Sequence, residues 1–187
     1  MDVFEAIHQR RAVRAYTPEP VEKDTIERLI MLAIQAPSAM NIQPWAFAVI
    51  RGGERLSSLS DRAKSHLLRT MAAGSPLEHY RSNLSDPAFN IFYDASILVV
   101  VSATSREEGA SEDCALAAQN FMLAAHALEL GTCWIGFARG WLNEPAAKAE
   151  LGLPAGHFPV APIIVGHPRG RPETHPRRKP EIIWIGG

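Results

Sequence analysis

The residues best suited to chemistry fall in three clusters. Arg10-Arg11-Ala12-Val13-Arg14 places three guanidiniums within five positions near the start of the chain. Arg177-Arg178-Lys179-Pro180 places three more cations near its end. Between them, Ala36-Pro37-Ser38-Ala39-Met40-Asn41-Ile42-Gln43-Pro44-Trp45 sets Ser38, Asn41 and Gln43 between two prolines. Guanidiniums this close repel one another unless an anion or a helix C-terminus compensates them. Two readings stay open for the first cluster: cations complementing a helix end, or planar forks on phosphate oxygens. If helical spacing persists through it, Arg10 and Arg14 share a face. The proline-bounded stretch is either an ordinary connection of turn residues or a stiff polar loop that holds a ligand. If the two cationic clusters meet, they make an anion pocket of several positive charges, suited to a phosphorylated cofactor.

Other chemistries find little support. Cys114, Cys133 and the seven histidines show no C-x-x-C or H-x-x-x-H spacing, so no metal site is expected. G-x-S-x-G, P-loop and G-x-G-x-x-G motifs are absent, which disfavours a serine hydrolase or a P-loop nucleotidase. A formal net charge of -1 argues against general binding to nucleic acid or an anionic membrane. Two cysteines need no oxidising compartment, no leader opens the chain, and no window reads as a membrane span; a cytoplasmic setting is expected. With 187 residues, 47% hydrophobic and 21% charged, one domain over 1–187 is the expectation.

The elements that must position these clusters follow from periodicity. Asp2 and Glu5 form a capping-box pattern for a short helix with Val3, Phe4 and Ile7 on its apolar face. Residues 21–35 repeat apolar positions at i, i+3 and i+4 through Ile26, Leu29, Ile30 and Ala33. Residues 45–50 are apolar on both alternating faces, which predicts a strand inside a sheet covered by helices; residues 95–103 read the same way. A helix follows Gly52-Gly53 over 54–70. Residues 71–93 are an irregular excursion, either a lid or plain surface. Residues 111–130 form a helix apolar nearly all round, hence a core helix, with Gly131 as its expected C-terminal cap. A short strand at 132–136 and a small helix from 143 or 144 to 151 come next. The strand at 160–165 contains Pro162, which predicts an edge or a bulge. Ile182-Ile183-Trp184-Ile185 is strand-like and too apolar for a free end, so a partner's sheet edge is a candidate cover.

In order and spacing, these clusters resemble those of the FMN-dependent nitroreductases over essentially the whole chain. Asp113-Cys114-Ala115, Ala118-Gln119-Asn120 and Gly131-Thr132-Cys133-Trp134-Ile135-Gly136 complete the resemblance. It implies an α+β fold, a central mixed and mostly antiparallel sheet flanked by helices. It also implies an intertwined homodimer with two FMN molecules at its interface, embraced by the tail at 168–187. Arg10, Arg11 and Arg14 would hold the phosphate and ribityl end, with Arg178 reaching the phosphate from the tail. Ala12 stands where many relatives have serine, which leaves its backbone N–H as the contact. Pro37, Ser38, Ala39 and Asn41 of the other subunit would line the isoalloxazine ring. Trp134, Ile135 and Gly136 would lie along the ring's opposite side. The implied activity is ping-pong: NADH or NADPH reduces FMN and leaves, and a small acceptor, a nitroaromatic or quinone, takes its place. FMN itself carries the hydride, so no protein acid or base is assigned. The alternatives are a specialised enzyme on the same fold, such as a dehalogenase or a flavin-destroying enzyme, or a non-catalytic flavin-binding protein.

Overall fold

A computed structural model describes residues 1–186. Four strands, β1 (Trp45–Arg51), β2 (Ile97–Ala103), β3 (Gly131–Trp134) and β4 (Phe158–Gly166), form one antiparallel sheet in the order β1-β2-β4-β3. The helices are α1 (Val3–Gln9), α2 (Lys23–Ala33), α3 (Gly53–Thr70), α4 (Arg81–Ser85), α5 (Ala110–Ala127), α6 (Gly136–Leu142) and α7 (Pro145–Leu151). The fold is thus α+β, as expected.

Strand β2 explains the layering. Its seven residues are all buried. Alternate side chains point to opposite faces of a strand. Leu98 and Val100 therefore join a core with Leu56, Leu59 and Trp141 of α3 and α6. Ile97, Val99 and Val101 join a second core with Leu29 and Phe121 of α2 and α5. Helix α5 lies under the sheet with Cys114, Ala117, Ala118 and Phe121 fully buried, although Leu116 faces outward.

The structure corrects several expectations. Strand β1 is an edge strand, not an interior one, and Val49 is 40% exposed. Strand β4, despite Pro162, lies between β2 and β3. The last residue pair of β3 is Trp134 with Ile163, so Pro162 lies just past that strand's end. Its carbonyl accepts from the Ile135 N–H at 2.7 Å. In extended backbone the nitrogen points to the same side as the carbonyl, so proline's missing N–H faces Ile135, just past the end of β3. Only the reciprocal bond to Ile135 is lost, and the ladder with β2 is untouched. The ladder also shifts register between Val101 and Ser102, opposite Ala161 and Pro159. Helix α6 had no sequence expectation: Gly136 and Gly140 mask its apolar period. Residues 182–185 form no strand, and Ile182, Ile183, Trp184 and Ile185 are 63–94% exposed.

The excursion at 71–93 holds a 3-10 turn, Glu78–Tyr80, followed by α4. It is tied down rather than loose. Lys64 of α3, only 5% exposed, donates to the carbonyls of Asp86 at 3.1 Å and Phe89 at 2.7 Å, and it pairs with Asp61. The Ile91 N–H donates to Ser60 Oγ at 3.0 Å. Among the described residues, no helix is long and apolar enough to cross a membrane.

Candidate functional site

The first arginine cluster is extended, not helical. Arg10 leaves α1 with ψ 131°, Ala12 bridges to Thr132, and the Val13 N–H donates to the Thr132 carbonyl at 2.9 Å. Residues 10–16 therefore lie along β3 and the end of β4. Two glycines make this possible. Gly131 and Gly166 face each other in the β3–β4 register. A Cβ at Gly131 would stand 2.8 Å from Val13 Cβ, and one at Gly166 would stand 2.7 Å from Tyr16 Cδ1. Tyr16 closes the arrangement, its hydroxyl donating to the Val13 carbonyl at 2.7 Å. Gly131 is thus not the cap of α5. That helix ends in a Schellman turn: Glu129 takes the left-handed position at φ 61°, and the Leu130 N–H reaches the Ala125 carbonyl.

The arginines then divide the two readings left open by their sequence. Arg11 Nη1 donates to the carbonyls of His8 at 2.7 Å and Arg10 at 2.8 Å, so Arg11 caps α1. Its Nε is buried without a protein partner. Arg10 and Arg14, and Arg11 as well, line a cleft of about 500 Å³ with Arg169, Arg171 and Arg177 from the tail. The two ends of the chain do meet there. The Arg169 N–H donates to the Ala15 carbonyl at 2.8 Å, and Tyr16 bridges to Pro168, which pins the start of the tail beside the arginine strand. Burial lowers the pKa of Arg10, and the charges of Arg11 and Arg177 lower it further. Such a cluster is stabilised by an anion. Arg177 lines the cleft; Arg178 is exposed outside it.

A second cavity of about 320 Å³ adjoins the first. Trp134, Ile135 and Gly136 line it, as do Cys133, Phe137, Leu77 and Tyr93. Arg14 lines both cavities. Leu77 and Tyr93 come from the excursion, and Tyr80 of the same segment packs edge-on against Phe137 with centroids 5.3 Å apart. Nothing local in the sequence marked Leu77, Tyr93 or Phe137; only the folded chain brings them to Trp134. Burial pushes the Cys133 thiol up and the Cys114 thiol up to about 12, the latter helped by the Asp113 charge, so both stay protonated at neutral pH.

The proline-bounded loop stands apart from both cavities. Met40, Asn41 and Gln43 all have left-handed backbones, with φ of 49°, 57° and 53°. Such conformations cost on the order of 1 kcal/mol or more for a non-glycine residue and persist only where the surroundings impose them. Here the Ala39 N–H donates to both carboxylate oxygens of Asp113 at 3.2 Å, and the Gln43 N–H donates to Ser38 Oγ at 3.0 Å. Cys114 Sγ lies 3.7 Å from the Pro44 carbonyl. The start of α5 therefore grips the loop at both ends. Asp113 is 7% exposed, whereas Pro37, Ala39 and Asn41 are exposed and Ser38 is half-buried. Replacing Asp113 with alanine is expected to cost about 1.5–3 kcal/mol, the net worth of a hydrogen bond to a charged group. Asp113→Asn, which keeps an acceptor, recovers part of the loss. Urea midpoints check this, and an alanine variant as stable as the parent would show that the carboxylate does not hold the loop.

Position along α5 separates the loop from the arginines. His126, near the other end of the helix, has its pKa lowered by burial and by the neighbouring charges of Arg10 and Arg11. Thirteen residues from Asp113 to His126 span about 20 Å at 1.5 Å per residue. Within one chain, Pro37, Ser38, Ala39 and Asn41 thus do not meet Arg10 and Arg14.

Comparison with known proteins gives a consistent result. A family model described as "Nitroreductase family" matches residues 7–167. The structure is similar to a nitroreductase with bound FMN from Bacteroides fragilis, with a TM-score of 0.84, 28% identity and full coverage of both chains. The sequence is 28% identical over 182 residues to the FMN reductase [NAD(P)H] of Bacillus subtilis, covering 97% of this chain and 72% of that one. It is also 28% identical over 199 residues to the nitrobenzene nitroreductase of Ectopseudomonas oleovorans, covering 88% of this chain and 86% of that one.

Proposed function

The chain belongs to the nitroreductase family, and from that premise we propose that it is an FMN-dependent oxidoreductase using NADH or NADPH to reduce a small electron-poor acceptor, a nitroaromatic or a quinone. The observation that carries this reading is the pair of cavities joined at Arg14, one ringed by guanidiniums and the other walled by Trp134, Ile135 and Phe137. FMN has the matching form: a phosphate monoester at one end and a flat ring system at the other. The buried, unpartnered Arg11 Nε and the mutual repulsion of Arg10, Arg11 and Arg177 fit an anionic end. The Bacteroides fragilis relative, with FMN bound, supports the same cofactor.

Bound there, FMN would supply the hydride chemistry, taking two electrons from the pyridine nucleotide and passing them to the acceptor. Arg10 and Arg14 would hold the phosphate and ribityl end. Arg177 or Arg178 of the tail would add to the phosphate grip, and Ala12 would border it with backbone. Trp134, Ile135 and Gly136 would wall the ring. Donors and cations near the ring favour its reduced, more negative form. Homologues named for NAD(P)H support the reductant class.

One chain cannot complete this enclosure, because Pro37, Ser38, Ala39 and Asn41 sit at the far end of α5. A second copy of the chain would supply them. The exposed Val3, Phe4 and Ile7 on α1 and the exposed apolar tail residues support a homodimer in which the tail embraces the partner.

Purified protein is expected to show a flavin absorbance spectrum and to oxidise NADH or NADPH when a quinone or a nitroaromatic is added. Colourless protein that does not take up FMN would overturn the cofactor. Bound flavin with no turnover of either nucleotide would mark a flavin-binding protein and overturn the enzymatic reading.

A further inference from the structure

We propose that Tyr93 is a positioning residue whose ring holds the Arg14 guanidinium at the junction of the two cavities, so that Arg14 acts on the cofactor's ring as well as its phosphate end. The proposal rests on the flavin reading above. Three independent observations support it. Arg14 is an exposed side chain at the mouth of the site, yet it lines both cavities, and its Cζ lies 5.8 Å from the centroid of the Tyr93 ring. That is within reach of a cation–π contact, which restrains a cation over an aromatic face. Among the described residues no salt bridge holds Arg14; its polar neighbours are the Tyr93 hydroxyl and the Cys133 thiol.

The second observation is backbone cost. Tyr93 has φ 52° and Asp94 has φ 58°. A bulky side chain is rare in that region, where asparagine or glycine is the cheaper choice. A local device imposes the conformation. Asn90 Oδ1 accepts from the Phe92 N–H at 2.9 Å, the Tyr93 N–H reaches the Asn90 carbonyl at 2.9 Å, and Asn90 Nδ2 donates to Asp94 at 3.0 Å. A tyrosine kept where its backbone is disfavoured points to a task for its ring.

The third is anchorage. The segment carrying Tyr93 is fastened to α3 through buried Lys64 and through Ser60 at Ile91, and Phe89 packs edge-on to the Tyr93 ring with centroids 5.9 Å apart. The ring is thus a fixed platform, while Arg14 alone would be a flexible surface chain. Burial raises the phenol's pKa against the opposing pull of Arg14, so the ring stays neutral and the contact persists at physiological pH.

Three variants test this: Tyr93→Phe, Tyr93→Asn and Arg14→Ala, with the Asn/Ala double. Asparagine adopts the left-handed turn readily, so it removes the ring without opposing the backbone; a urea titration confirms folding. The readouts are the FMN dissociation constant and the midpoint potential of bound flavin. Tyr93→Phe, which keeps the ring and loses only the hydroxyl beside Arg14, should stay much closer to the parent than Tyr93→Asn in both. Tyr93→Asn should weaken FMN about three- to tenfold, the range of a cation–π contact, and should lower the midpoint. In the Arg14→Ala background, Tyr93→Asn should change neither, because the effect runs through the guanidinium. An equal effect of Tyr93→Asn in both backgrounds overturns the proposal, as does a Tyr93→Phe variant as impaired as Tyr93→Asn, which would assign the effect to the hydroxyl. A Tyr93→Asn variant that fails to fold leaves Tyr93→Phe and Tyr93→Leu to decide on the same criteria. If the parent binds no FMN, the flavin reading falls and this proposal with it; if it binds FMN and the variants depart from these results, this proposal alone falls.

Discussion

Protein carrying both Arg10→Ala and Arg14→Ala is expected to leave purification colourless, having lost its FMN. Each arginine contributes charge-assisted hydrogen bonds to a phosphate, worth about 1.5–3 kcal/mol apiece. Losing both weakens binding by roughly two to four orders of magnitude. The fold should survive, because Arg14 is exposed and neither guanidinium serves as a helix cap. Arg11 is the instructive contrast. Its Nη1 is committed to the carbonyls at the end of α1 although it also lines the cleft, so Arg11→Ala should cost stability, about 0.5–1.5 kcal/mol, in addition to the flavin it loses. Flavin released on heat denaturation, measured per mole of protein, separates the cases. Stoichiometric flavin in the double variant would remove the phosphate from this cleft.

Gly131→Ala should do nearly as much harm from a position that touches no ligand. The new methyl would lie 2.8 Å from Val13 Cβ, a contact that side chains do not sustain. The cost of such overpacking is about 1–3 kcal/mol. The strain also has a direction. Val13 lies between Ala12 and Arg14, and its N–H is bonded to Thr132 beside the substituted position. Pushing Val13 off β3 therefore carries the arginine strand away from its cleft. The expected result is a lower urea midpoint together with weaker FMN binding. Val13→Gly in the same protein should restore part of both, since it removes the opposing Cβ. A Gly131→Ala variant with the parent's stability and flavin affinity would mean that residues 10–16 do not pack on the facing glycines.

These two expectations show where local sequence is informative and where it is not. The double apolar alternation of β2 and the nearly unbroken apolar surface of α5 declared a sheet covered on both sides, because burial is written into side-chain type. The same criterion misplaced β1. Its alternation matches that of β2, but it has a strand neighbour on one side only, and pairing partners are not a local property. Pro162 misled on one of its two readings: β4 is interior, whereas the irregularity is present as a register shift opposite Ala161 and Pro159. The missing N–H does not exclude an interior strand when the neighbour ends at that residue. Gly131 was legible as a glycine with a purpose but not for its true one, since the helix cap it seemed to form is supplied by Glu129.

By itself, the sequence determined the helices and strands with strong periodicity, the clasp of Asp2 and Glu5, the two cationic clusters and the polar loop, and, through their order and spacing, the family. These are consequences of residue type and of separations of a few positions. Only the tertiary structure decided that Arg11, at the edge of the cleft lined by Arg10 and Arg14, turns its Nη1 back to cap its helix. It alone brought Arg177 of the tail to that cleft, placed Tyr93 and Leu77 beside Trp134, and put the polar loop and the arginines at opposite ends of α5. Each of those outcomes is an apposition of residues far apart in the chain, set by strand pairing and by where a side chain such as Val13 finds room over a glycine, and no local pattern encodes it.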